Sequence, residues 1–116
     1  AVGMVFESMQ GPLPADEVAR IGALRRVDQS VVAGVWGTVF DSTEAELDAQ
    51  VGALAGGVRS PFLSLHGIDP GDDYAEWLTS VVPQAEVEVW ADHGHYPQLV
   101  DPARFLARVE AFAADC

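Results

Sequence analysis

Ser60-Pro61-Phe62-Leu63-Ser64-Leu65-His66-Gly67 is a short, nearly continuous apolar run bounded by proline and glycine, which reads as a strand buried on both faces. Downstream, Asp72 or Asp73 can cap a helix through about Ser80, with Tyr74, Trp77 and Leu78 on its inner side; Pro83 stops it. Ala85-Glu86-Val87-Glu88-Val89-Trp90 then alternates apolar and acidic side chains, as an edge strand with one solvated face does. Strand, helix, strand at this spacing predicts a parallel pair. Asp101-Pro102 supplies the N-cap and first position of a last helix, whose inward stripe is Phe105, Leu106, Val109 and Phe112.

Before this unit the periodicity is helical. Pro14, Asp16 and Glu17 open a helix whose basic residues, Arg25 and Arg26, come last, as the helix dipole favours. Asp28 caps a second helix, with Val31, Val32, Val35, Trp36 and Phe40 mostly on one stripe, although Gly34 and Gly37 weaken it. Thr43-Glu44-Ala45-Glu46 has the capping-box pattern, Leu47, Val51 and Leu54 follow at helical spacing, and Gly56-Gly57 supplies a stop. The chain therefore divides into a helical segment, residues 1–58, and an α/β segment, residues 59–116.

A parallel pair alone is too small to be stable, because parallel sheets need several strands and cover on both faces. Phe62 to Gly67 reads as a central strand, so its second edge calls for a partner on the N-terminal side. Either residues before Arg59, such as Val2 to Met9, supply that strand, or it comes from outside this sequence. The start Ala1-Val2-Gly3-Met4 has no initiator methionine, which suggests processing or a longer parent.

Composition bounds the function classes. Of 116 residues 49% are hydrophobic and 21% charged, enough to build a core. Eighteen acidic residues against six basic ones give a net charge of −12, which repels polyanions and argues against a nucleic-acid partner. No signal-like start or apolar run of ~20 residues suggests a membrane. The single cysteine, Cys116, excludes an intrachain disulfide, and a reducing cytoplasm fits.

The residues that invite chemistry follow the edge strand: Trp90-Ala91-Asp92-His93-Gly94-His95-Tyr96-Pro97. This stretch resembles the α/β-hydrolase fold family, whose last strand leads into Gly-His-aromatic-Pro and then a helix opening with Asp-Pro or Glu-Pro. Gly94-His95-Tyr96-Pro97 and Asp101-Pro102 match that pattern. Pro61 to Gly67 is similar to the family's preceding strand, and the three helices before it to the cap over the active site. The resemblance implies the C-terminal part of an α/β-hydrolase fold: cap helices, a parallel β-α-β unit and a terminal helix. It makes His95 the general base, taking a proton from the nucleophile and returning it to the leaving group. An imidazole, ordinarily titrating near ~6.5, can do both at neutral pH.

The resemblance also implies an acid after the preceding strand. Asp69, nearest the strand end, is the first candidate, with Asp72 and Asp73 or a residue outside the chain as alternatives; Asp69 stands one residue closer to the glycine than the family's Gly-x-x-Asp. Gly67-Ile68-Asp69-Pro70-Gly71 also has the form of an elbow for an aspartate nucleophile. Pro70 argues against it, because the residue after a nucleophile donates its N–H to the oxyanion and proline has none. No Gly-x-Ser-x-Gly occurs, so the nucleophile is expected elsewhere. His93 and His95 could begin a zinc site, but no further Cys or His lies nearby, His66 would have to approach from another strand, and His93 reads as a rim residue. Neither metal nor cofactor is implied. Trp36 and Phe40 are candidates to enclose an apolar part of a small-molecule substrate, although they can equally pack helix on helix.

Two functions compete. One is the cap and C-terminal portion of a hydrolase of ester, amide or related bonds, completed by a nucleophile-bearing segment of the same enzyme or a second chain. The other is a non-catalytic binding or assembly module of the same fold, burying its sheet edge against a partner.

Overall fold

Asp28, Thr43 and Asp101 each stand just before a helix and accept its otherwise orphaned N–H groups. Asp28 Oδ1 accepts from Ser30 N at 2.8 Å and Val31 N at 3.3 Å, and Asp101 Oδ1 from Arg104 N at 3.1 Å. Thr43 completes a capping box: its hydroxyl accepts from Glu46 N while its own N–H donates to the Glu46 carboxylate at 2.8 Å. In the computed structural model of the chain, which describes residues 2–116, the helices are α1 (Val2–Met9), α2 (Ala15–Leu24), α3 (Gln29–Asp41), α4 (Glu44–Ala55), α5 (Tyr74–Val81), α6 (Pro97–Val100) and α7 (Pro102–Ala114). The strands are β1 (Phe62–His66) and β2 (Ala85–Val89), paired in parallel with Phe62 opposite Ala85 and His66 opposite Val89. The fold is mixed α/β, mostly helical.

Each face of the sheet is covered differently. Leu78 of α5 and Val82 just after it pack with Ala55 of α4 in a small buried cluster, against which Tyr74, Ala85 and Val87 lean. Gln84 Nε2 ties the approach to β1 by donating to the carbonyls of Val58 and Ser60, both at 3.0 Å. On the opposite face α7 lays Arg104 over the Trp90 ring, 4.0 Å from its centroid, and Arg108 against Glu86 and Glu88. The alternating glutamates of β2 therefore form an ion-paired face under α7 rather than a simply solvated one.

Arg108 and the Trp90 indole N–H hold the Glu88 carboxyl below its ordinary value of 4.5. A depressed folded pKa contributes stability that is present above the unfolded value and is lost as the pH falls through the folded one. The stability gap between wild type and Glu88→Gln should accordingly be widest near neutrality and close below about pH 4.5. Urea midpoints from pH 6 to 3 read this directly, and a gap that does not narrow at low pH contradicts it.

Several local expectations change. Val2–Met9 is helical, so it supplies no third strand, and the described sheet has two strands. β1 is half-buried rather than buried on both faces, because among the described residues only one of its edges has a neighbour. The first predicted helix ends at Leu24 instead of Arg26: Arg25 is extended, and its guanidinium lies 4.5 Å from the Phe6 ring centroid. Asp73 precedes α5 but its carboxylate makes no capping bond, and Asp72 precedes it in the turn.

Little of the helical segment is packed. Val31, Val35, Trp36 and Phe40 are each more than half exposed, and α3 buries no residue. The accessible surface is 8185 Å², where a compact monomer of 12.3 kDa exposes about 6,100 Å². The radius of gyration is 16.5 Å against about 13 Å for a compact chain of this length.

Candidate active site

The loop after β2 is folded back onto the end of β1 by its backbone. Trp90 N donates to His66 O at 2.7 Å, and His93 N and Gly94 N both donate to Gly67 O at 3.1 Å. Sharing one carbonyl between two successive amides requires a sharp turn. Asp92 (φ +65°) and Gly94 (φ +67°) provide it in the left-handed region, which aspartate tolerates better than most residues and glycine occupies freely. Gly67 is buried, and a Cβ on it would overlap the Gly94 carbonyl oxygen. Glycines at 67 and 94 are thus what allow the loop to sit this close to the strand.

His95 emerges from this turn exposed, at the C-terminal end of the parallel pair, where ligands of open α/β sheets bind. Its backbone N–H donates to Met9 O at 3.0 Å, and its ring meets Tyr96 edge-on at 5.3 Å. Among the described residues neither ring nitrogen of His95 has a hydrogen-bond partner. A cavity of about 280 Å³ opens beside it, walled by His66, Ile68, Gly94 and Pro97. An exposed imidazole with both nitrogens free can exchange protons with a group brought to within ~3 Å.

Asp69 lies across Gly67, Ile68 and Gly94 from His95, in a neighbouring cavity of about 390 Å³ that also includes Ser8, Pro12 and Asp92. Its Oδ1 accepts from Gly71 N at 2.9 Å, forming a local turn. No hydrogen bond joins Asp69 to His95 among the described residues; the two predicted partners line cavities that share Gly67, Ile68 and Gly94. Asp72 and Asp73 lie further along, around the start of α5, in a third cavity with Tyr74 and Trp77.

His93 Nδ1 faces Ala91 O at 3.0 Å, and its ring lies edge-on to Trp90; it lines neither the His95 cavity nor the Asp69 cavity. Among the described residues no three His, Cys, Asp or Glu side chains form a group that could hold a metal ion. Cys116 is exposed. Trp36 and Phe40 stack at 5.6 Å on α3, and neither lines the cavity that holds His95. No helix is long and apolar enough to cross a membrane among the described residues.

Two features escape sequence reading. Ser64 Oγ lies 2.8 Å from His66 Nε2 and 3.2 Å from the Tyr74 hydroxyl, a satisfied polar cluster beneath α5. The i, i+2 spacing of Ser64 and His66 puts them on one strand face, but Tyr74 arrives only through the fold. The other is the contact of the α1 end with the histidine loop, which joins segments far apart in sequence. Compared with known proteins, the chain matches no protein family, no curated protein and no solved structure.

Proposed function

We propose that this chain forms the cap and histidine-loop portion of an α/β-hydrolase-like enzyme that cleaves an ester, amide or related bond. His95 acts as general base, and the nucleophile comes from a further segment, in the same enzyme or in a second chain, that pairs with the free edge of β1. The observation that carries the reading is His95 itself: an exposed imidazole with unpartnered nitrogens, on a glycine turn at the C-terminal end of a parallel strand, beside a cavity. The missing partner is supported separately by the single neighbour of β1 and by the large apolar surface of α3.

With His95 as base, Asp69 orients it only if the loop tightens on assembly; otherwise the acid comes with the partner segment. The cap helices would close over a small-molecule substrate, with Trp36 and Phe40 against its apolar part. The competing reading, a binding module, uses the same free edge and apolar helix but covers His95 with protein.

Carbethoxylation of the assembled protein by diethyl pyrocarbonate separates the two. The hydrolase reading expects His95 to react, turnover of a nitrophenyl ester to fall in step, and a product carboxylate to slow both. Protection of His95 without any ligand, in a protein that turns over no ester, contradicts it in favour of the binding module.

A further inference from the structure

Main-chain atoms of the α1–α2 connection reach into the histidine loop at closest packing. Gly11 (φ +55°) and Gly94 (φ +67°) stand face to face: a Cβ built on Gly11 would lie 2.7 Å from Gly94 Cα, and one built on Gly94 would lie 2.8 Å from Gly11 Cα. Either position rejects a side chain twice over, by its backbone conformation and by the backbone opposite. One residue before Gly11's neighbour Gln10, the Met9 carbonyl accepts the His95 N–H at 3.0 Å. Phe6 of α1 meets Tyr96, the residue after His95, at 6.4 Å and 66°. The three contacts fall on consecutive loop residues, Gly94, His95 and Tyr96, and all come from residues 6–11.

From this geometry we propose that the Met9–Gly11 turn is a positioning clamp for His95. The β1 end holds the loop at His93 and Gly94, whereas the clamp fixes the backbone of His95 itself and so the direction in which its imidazole leaves the turn. Gly11 and Met9 touch no reacting atom in this scheme; they act through His95. The consequence for catalysis rests on the hydrolase reading, but the clamp itself does not.

The test uses the assembled protein, with the partner segment or chain present, and needs no turnover. Gly11→Ala should raise the amide hydrogen-exchange rate of His95 by about tenfold or more and move the NMR resonances of its imidazole, while the Trp90 amide, bonded to His66 O, stays protected. Gly71→Ala is the control, because Gly71 also has a positive φ (+102°) but nothing within 4 Å of its Cβ direction; it should leave His95 unchanged. An unaltered His95 amide and ring in Gly11→Ala overturns the clamp. If Gly11→Ala also loses Trp90 protection, Phe6→Ala decides: faster His95 exchange with Trp90 intact supports the clamp, and unchanged His95 exchange overturns it. Retention of full hydrolysis by His95→Ala in the assembled enzyme would instead overturn the catalytic reading and leave the clamp standing.

Discussion

His95→Ala in the assembled, active protein should lower kcat/KM for a short-chain nitrophenyl ester by about 10⁴-fold or more, because a nucleophile without its base keeps only binding and electrostatic assistance. The substitution removes an exposed ring that makes no hydrogen bond through either nitrogen among the described residues, so little of the fold depends on it, and the urea midpoint should stay within error. The separation of the two readouts is the informative part. A loss of activity accompanied by unfolding would say only that the loop had collapsed. A variant that is equally stable and still hydrolyses within about tenfold of wild type contradicts the assignment of His95 as base.

Gly67→Ala should be the most damaging single substitution in the histidine loop's support. Gly67 is buried, its carbonyl accepts two loop amides at 3.1 Å, and a methyl group there would occupy the place of the Gly94 carbonyl oxygen. That obstacle is backbone, which cannot turn aside as a side chain can. The loop must lift from β1, with a cost at or above the upper end of overpacking penalties, about 3 kcal/mol. Because a displacement of ~1 Å at a catalytic group costs roughly 10²-fold in rate, activity should fall even where the protein remains folded. Urea unfolding of the assembled protein with kcat measured alongside checks both; a change under about 0.5 kcal/mol would mean that the loop does not lie against Gly67 as described.

The local signals in the sequence translated well where the physics is local. Asp28, Thr43 and Asp101 bond to the N–H groups that their positions promised, and the apolar run at Phe62 and the alternation at Ala85 are the two parallel strands. What was not legible depends on packing between distant segments. The apolar residues of β1 suggest a doubly buried strand, yet burial needs neighbours, and its second edge has none among the described residues. Glu86 and Glu88 looked solvated because alternation shows only that one face is polar; Arg108, twenty residues later, turns that face into an ion-paired contact.

The candidate site was legible to a similar depth. Gly94-His95-Tyr96-Pro97 marked a loop at a strand end, and His95 is placed there, exposed beside a cavity. Distance along the chain singles out Asp69, but it is a poor guide to hydrogen bonding; the Asp69 carboxylate accepts from Gly71 N. Trp36 and Phe40 formed a stripe on paper, but a stripe needs a surface to meet, and α3 has none among the described residues. The Gly11–Gly94 contact was invisible because the two glycines are far apart in sequence and each, taken alone, marks only a turn.

If His95 serves a nucleophile carried outside these residues, the intact mass of the protein purified from its source, taken with ester hydrolysis by the same sample, should show it. The expected result is a longer polypeptide, or a second chain that co-purifies in fixed ratio, with hydrolysis confined to that species and absent from the isolated 116 residues. A mass equal to this chain alone, in a sample that hydrolyses no ester, would contradict it.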